Sequence, residues 1–159
     1  MSDLGPDIGR EAVYAAEIAA FEGTCHETLI GFESLVALAR TVIESSWWPC
    51  GEIAIVRARR DAGSSSTRQR GSGAPVVRLA APQMTAATLL HELAHVLAGL
   101  GSGHGGRFRR AHVDLVGYTL GDLEAGWLLD AYGAMGLEPG PRTWPAPPVR
   151  GDTARPIAL

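Results

Sequence analysis

Residues 81–99 (APQMTAATLLHELAHVLAG) carry a single formal charge, Glu92, at the centre of the pattern His91-Glu92-Leu93-Ala94-His95. The stretch reads as a helix, with Pro82 near its start, Thr85 as N-cap and Gly99 as stop. On a helical wheel Thr88, His91, Glu92 and His95 share one sector, while Leu89, Leu93, Val96, Leu97 and Leu100 occupy the opposite side. A helix this apolar cannot lie on a surface: it has to be buried, with one polar stripe turned to a cleft. The rest of the chain therefore has to wrap it.

The flanking sequence supplies the wrapping. Residues 10–22 place Val13, Ala16 or Glu17, Ala20 and Phe21 at helical spacing, and residues 32–46 carry a stronger stripe from Phe32 to Ile43. Trp47-Trp48-Pro49 ends the second helix, because the residue before proline is driven out of the α region. Residues 52–59 and 76–80 are short and β-branched and read as strands. Between them, residues 61–74 (DAGSSSTRQRGSGA) read as a mobile polar loop. Residues 106–119 and 122–136 read as two further helices split by Gly121, and from Glu138 onward the Pro-rich sequence has no periodicity. The expectation is an α+β domain over 1–137, with a small sheet packed on the 91–95 helix, and an irregular or disordered tail over 138–159. Strand 76–80 is expected to border the cleft and to offer an edge to an extended peptide.

At 159 residues, 46% hydrophobic and 19% charged, the chain is long enough to bury one core. A net charge of −3 gives no general attraction to nucleic acid or anionic membrane. All 14 basic residues are Arg, which fits a high-GC coding sequence and lowers the weight of any Arg cluster. Cys25 and Cys50 stand apart, with no CxxC pairing, and two reduced thiols are expected. The N-terminus lacks the basic start and apolar run of a signal peptide, and no stretch approaches the roughly 18 apolar residues of a membrane span. A cytoplasmic protein is expected.

Two imidazoles four residues apart lie on one helical face and can share one ion. Glu92, rotated about 100° from His91, can approach the open side of that ion and take a proton from water without being a ligand. Catalytic zinc takes three protein ligands and keeps a fourth position open. The next candidate is His104, in a Gly-rich segment (GLGSGHGG) that can turn back on the helix it leaves. His112 and Asp114 also follow the motif as alternative third ligands, Asp114 the next choice after His104. The plainer reading is a helix with two core-facing or capping histidines followed by a flexible loop.

His91-Glu-x-x-His95 followed by His104-Gly105-x-x-Phe108 resembles the minimal zincins of the SprT and WLM type. The chain as a whole, including Val13-Tyr-Ala-Ala-Glu17, resembles a small family of bacterial metallohydrolases without an established substrate. That resemblance implies a zincin-like metallopeptidase with one zinc per chain on His91, His95 and His104, Glu92 as catalytic base, and a peptide or amide as substrate. The chain lacks the CxxC zinc ribbon of SprT proteins, and Gly101 stands where metzincins have their third His. The alternatives are a non-peptide amide hydrolase and a zinc-stabilised binding module. Weaker candidates are His112, as core histidine or site donor; Asp114 and Glu124, to orient a ligating imidazole; and Tyr118, as oxyanion donor. Trp47 and Trp48 read as packing.

Overall fold

A computed structural model describes Asp7 and residues 9–148. Among them are five helices and a three-stranded mixed sheet, an α+β arrangement. The helices are α1 (Arg10–Phe21), α2 (Phe32–Ile43), α3 (Ala86–Ala98), α4 (Gly106–Thr119) and α5 (Asp122–Ala134); the strands are β1 (Ala54–Arg57), β2 (Ser66–Arg68) and β3 (Val76–Leu79).

Helix α3 is the apolar helix of the 91–95 motif. The Thr85 side chain accepts from the Thr88 amide and caps its start. Eleven of its 13 residues are buried, because it lies between the sheet, α2 and α4. Val77 and Leu79 of β3 are fully buried, and the core runs through Leu89, Leu90 and Leu93 to Leu115 and Val116 of α4. On the far side α1 packs on α5, burying Val13, Ala16, Ala20 and Phe21. Glu17 lies on that same buried stripe. No helix among the described residues is long and apolar enough to cross a membrane.

Three expectations change. Helix α2 stops at Ile43 because the Ser45 hydroxyl donates to the Val42 carbonyl (2.6 Å) and accepts from the Trp48 amide, turning the chain before Pro49. The polar loop 61–74 contains β2, paired antiparallel to β3 (Ser66 opposite Arg78, Arg68 opposite Val76). Strand β3 is in turn paired parallel with β1, so both its edges are taken and it has none to offer a peptide. The strand that borders α3 with an unpaired edge in this sheet is β2.

Residues 138–148 form no helix or strand, yet they are pinned to α4, so the packing does not divide at residue 137. Asp114 accepts from Arg142 Nε (2.7 Å), Arg142 Nη2 (2.9 Å) and Trp144 Nε1 (2.9 Å). Trp47 Nε1 donates to the Pro145 carbonyl at 2.8 Å, and Trp144 is buried. The Gly140 amide donates to the Gly106 carbonyl (2.8 Å), an approach so close that a Cβ on Gly140 would lie 2.9 Å from the Gly106 backbone. The expected tail over 149–159 lies outside the described residues.

Candidate metal centre

His91 and His95 project from one face of α3, and the turn between α3 and α4 returns His104 to them. That return needs Gly103, whose φ of +54° disfavours side chains and whose Cβ position lies 3.3 Å from the Asp7 carboxylate. One nitrogen from each of the three imidazoles lies within 4.8 Å of the other two. His91 Nε2 and His104 Nε2 stand 3.2 Å apart. Nitrogens bound tetrahedrally to one zinc at about 2.0–2.1 Å would be separated by about 3.4 Å, so the spacing fits a shared ion. A second group able to hold a metal is Glu17, His91 and His112, which uses the other side of His91.

The opposite ring nitrogens decide between the two groups. His91 Nδ1 lies 2.7 Å from Glu17 Oε1, and His104 Nδ1 lies 2.5 Å from Asp7 Oδ2, whose partner oxygen accepts from the His104 amide. An ionised carboxylate only accepts, so both imidazoles hold a proton on Nδ1 and turn bare Nε2 lone pairs toward one another. Two lone pairs at 3.2 Å repel unless a cation, a proton or a metal ion, lies between them. Ligating imidazoles in zinc sites are held by carboxylates in this manner. The His91–His95–His104 group therefore has three donors, two of them with a carboxylate support.

Electrostatics agree. Burial would raise the Glu17 carboxyl, but the charge and hydrogen bond of His91, followed by His112, hold it below the usual carboxylate range. Burial would lower His91, but Glu17 outweighs it and raises the imidazole. Burial and then the neighbouring imidazoles push His95 down to about 3. Burial also lowers His104 against the pull of Asp7, which is itself held low by His104 despite its own desolvation. Glu17 is thus the ionised acceptor of the His91 Nδ1–H, while burial and the neighbouring rings keep His95 and His104 neutral.

Glu92 sits beside this group without being one of its members. Its side chain is buried, and Oε2 accepts a 2.6 Å hydrogen bond from the Thr67 hydroxyl on β2. Burial raises its pKa; His91 and Thr67 offset part of the rise, and Glu17 adds to it. A carboxylate raised in this way is a stronger base than an exposed one. A cleft of about 570 Å³ reaches His91 and Glu92 from outside, between Tyr14, Ile18 and Leu29 on one side and Pro82 and Thr88 on the other. Tyr14 stacks on the His91 ring, with centroids 5.3 Å apart and planes 7° off parallel.

Apart from His112, the weaker candidates lie elsewhere. Asp114 spends its carboxylate on Arg142 and Trp144, which removes it as third ligand and as support for an imidazole. Glu124 pairs with His26 (3.4 Å). Tyr118 packs on Trp47, centroids 4.9 Å apart, and Trp47 and Trp48 are buried. Cys25 and Cys50 are free thiols. His112 is fully buried behind His91. Sequence reasoning missed Asp7 and Thr67, and it read Glu17 only as a stripe position. The available signal was an acid on an otherwise apolar helical face. Comparison with family models, with curated proteins and with solved structures finds no match, so the site is read from its own residues and geometry.

Proposed function

We propose that the chain is a zinc-dependent hydrolase of the minimal zincin kind, a metallopeptidase or amidase, with His91, His95 and His104 as ligands and Glu92 as general base. The observation that carries this reading is the facing pair of Nε2 atoms, 3.2 Å apart, each on a ring whose Nδ1 is held by a carboxylate. A zinc ion bound there would acidify water and polarise a substrate carbonyl. The residues of this chain do the remainder. Glu92 removes a proton from the attacking water as oxygen bonds to the carbonyl carbon, then passes it to the amine as the C–N bond breaks. The Thr67 hydroxyl fixes which way that carboxylate points. The cleft admits the substrate, and the outer edge of β2 offers backbone groups to an extended one.

Glu92→Gln separates a hydrolase from a zinc-stabilised binding module. The variant is expected to keep its zinc and thermal stability and to lose hydrolysis of peptide and simple amide substrates by at least about 100-fold. Retained hydrolysis would remove Glu92 from the chemistry; loss of zinc would make it a ligand.

A further inference from the structure

His112 is a fully buried imidazole that the hydrolytic reading leaves without a task. Its Nε2 lies 3.2 Å from Glu17 Oε1, the same oxygen that meets His91 Nδ1 at 2.7 Å. Its Nδ1 lies 2.6 Å from the hydroxyl of Tyr132, which is also fully buried. Four helices meet in this line: α5 supplies Tyr132, α4 His112, α1 Glu17 and α3 His91.

We propose that Tyr132, His112 and Glu17 form one directed line of polar contacts, hydrogen-bonded at both ends, that fixes the tautomer and aim of His91, and so sets the affinity of the metal site; this rests on the zinc reading above. The direction follows from the one group in the line that can only accept. Ionised Glu17 requires a proton on each nitrogen facing it, so His91 carries Nδ1–H and His112 carries Nε2–H. A neutral imidazole has one N–H, which leaves His91 Nε2 bare toward His104 and makes His112 Nδ1 an acceptor. Tyr132 must then donate its O–H to His112, and burial keeps that phenol protonated. With Glu17 ionised and both imidazoles neutral, no other assignment places a donor against an acceptor at all three contacts. The His112–Glu17 contact is not aligned as a hydrogen bond, so it is the weakest joint. Tyr132 and His112 are thus positioning residues that act on the metal through Glu17 and His91.

Long-range proton–nitrogen NMR of the zinc-loaded chain reads the tautomers directly, without any substitution. It is expected to show His112 as Nε2–H and His91 as Nδ1–H. Competition for zinc with a chelator is expected to show Glu17→Gln weakened by about 10–100-fold, the usual effect of losing such a support. Tyr132→Phe is expected to bind zinc more weakly by a smaller factor and to let His112 populate both tautomers. A zinc-loaded chain with His112 as Nδ1–H, or Glu17→Gln binding as tightly as the parent, overturns the chain of bonds alone. An unchanged chain that binds no zinc overturns the metal reading and this proposal with it.

Discussion

Phe108 is fully buried and touches all four clustered histidines, with ring centroids 4.9 Å from His91, 4.6 Å from His95, 4.7 Å from His104 and 5.4 Å from His112. It is the aromatic of the His104-Gly-x-x-Phe108 element, set one turn into α4, and it forms the floor on which the imidazoles rest. Phe108→Ala removes that floor. Truncating a buried Phe costs about 3–5 kcal/mol. At about 2–4 °C per kcal/mol for a domain of this size, the zinc-free protein should melt about 6–20 °C lower. The metal-bound state should suffer further. Zinc at 100 times its Kd adds about 2.7 kcal/mol of stability to the parent. If the loosened rings bind about 10–100-fold more weakly, at the same zinc concentration that increment shrinks to about 0.4–1.4 kcal/mol. Thermal unfolding by circular dichroism, with and without zinc, measures both effects. The zinc-induced rise in Tm should fall from about 5–11 °C to about 1–6 °C. Phe108→Leu, closer in volume, should lose about 1 kcal/mol and keep most of the zinc increment. A Phe108→Ala protein that melts lower yet gains as much from zinc as the parent would show that Phe108 is ordinary core and supports no site.

Thr67→Val removes a hydroxyl that stabilises ionised Glu92, a bond to a charged group worth about 1.5–3 kcal/mol, or about one to two pKa units. Because Glu92 must be ionised to act as base, activity is lost below its pKa, so the acidic limb of the kcat/KM profile should move to higher pH; an unmoved limb would dissociate Thr67 from the base. Arg142→Ala strips two hydrogen bonds from buried Asp114 and should expose residues 138–148 to limited proteolysis, whereas in the parent cleavage should begin in the exposed stretch around residues 69–73; equal cleavage of the two proteins at 138–148 would show that this pairing does not hold the segment.

The legibility of this chain followed the range over which its interactions act. Helices announce themselves through side chains three and four residues apart, and α3, with its cap at Thr85 and its His91–Glu92–His95 stripe, was readable for that reason. His104 was readable because glycines and a single histidine follow the helix at once. The supports were not. Glu17 meets His91 across 74 residues and Asp7 meets His104 across 97, and no local pattern marks such a pairing. Strand β2 is three polar residues long, and what makes it a strand is the open edge of β3 and the bond from Thr67 to Glu92. The segment after Glu138 lacks periodicity and is held by side chains instead, Arg142 and Trp144 reaching back to one buried carboxylate, so composition alone described its backbone and not its packing.

The central claim is that one metal ion is held by His91, His95 and His104. X-ray absorption at the zinc edge, on protein loaded to saturation and freed of excess metal, tests it most directly when paired with elemental analysis. The expected result is about one zinc per chain with three imidazole nitrogens at about 2.0–2.1 Å, and loss of that ion in His104→Ala. A saturated chain without zinc, or a zinc shell unchanged by His104→Ala, would contradict the account.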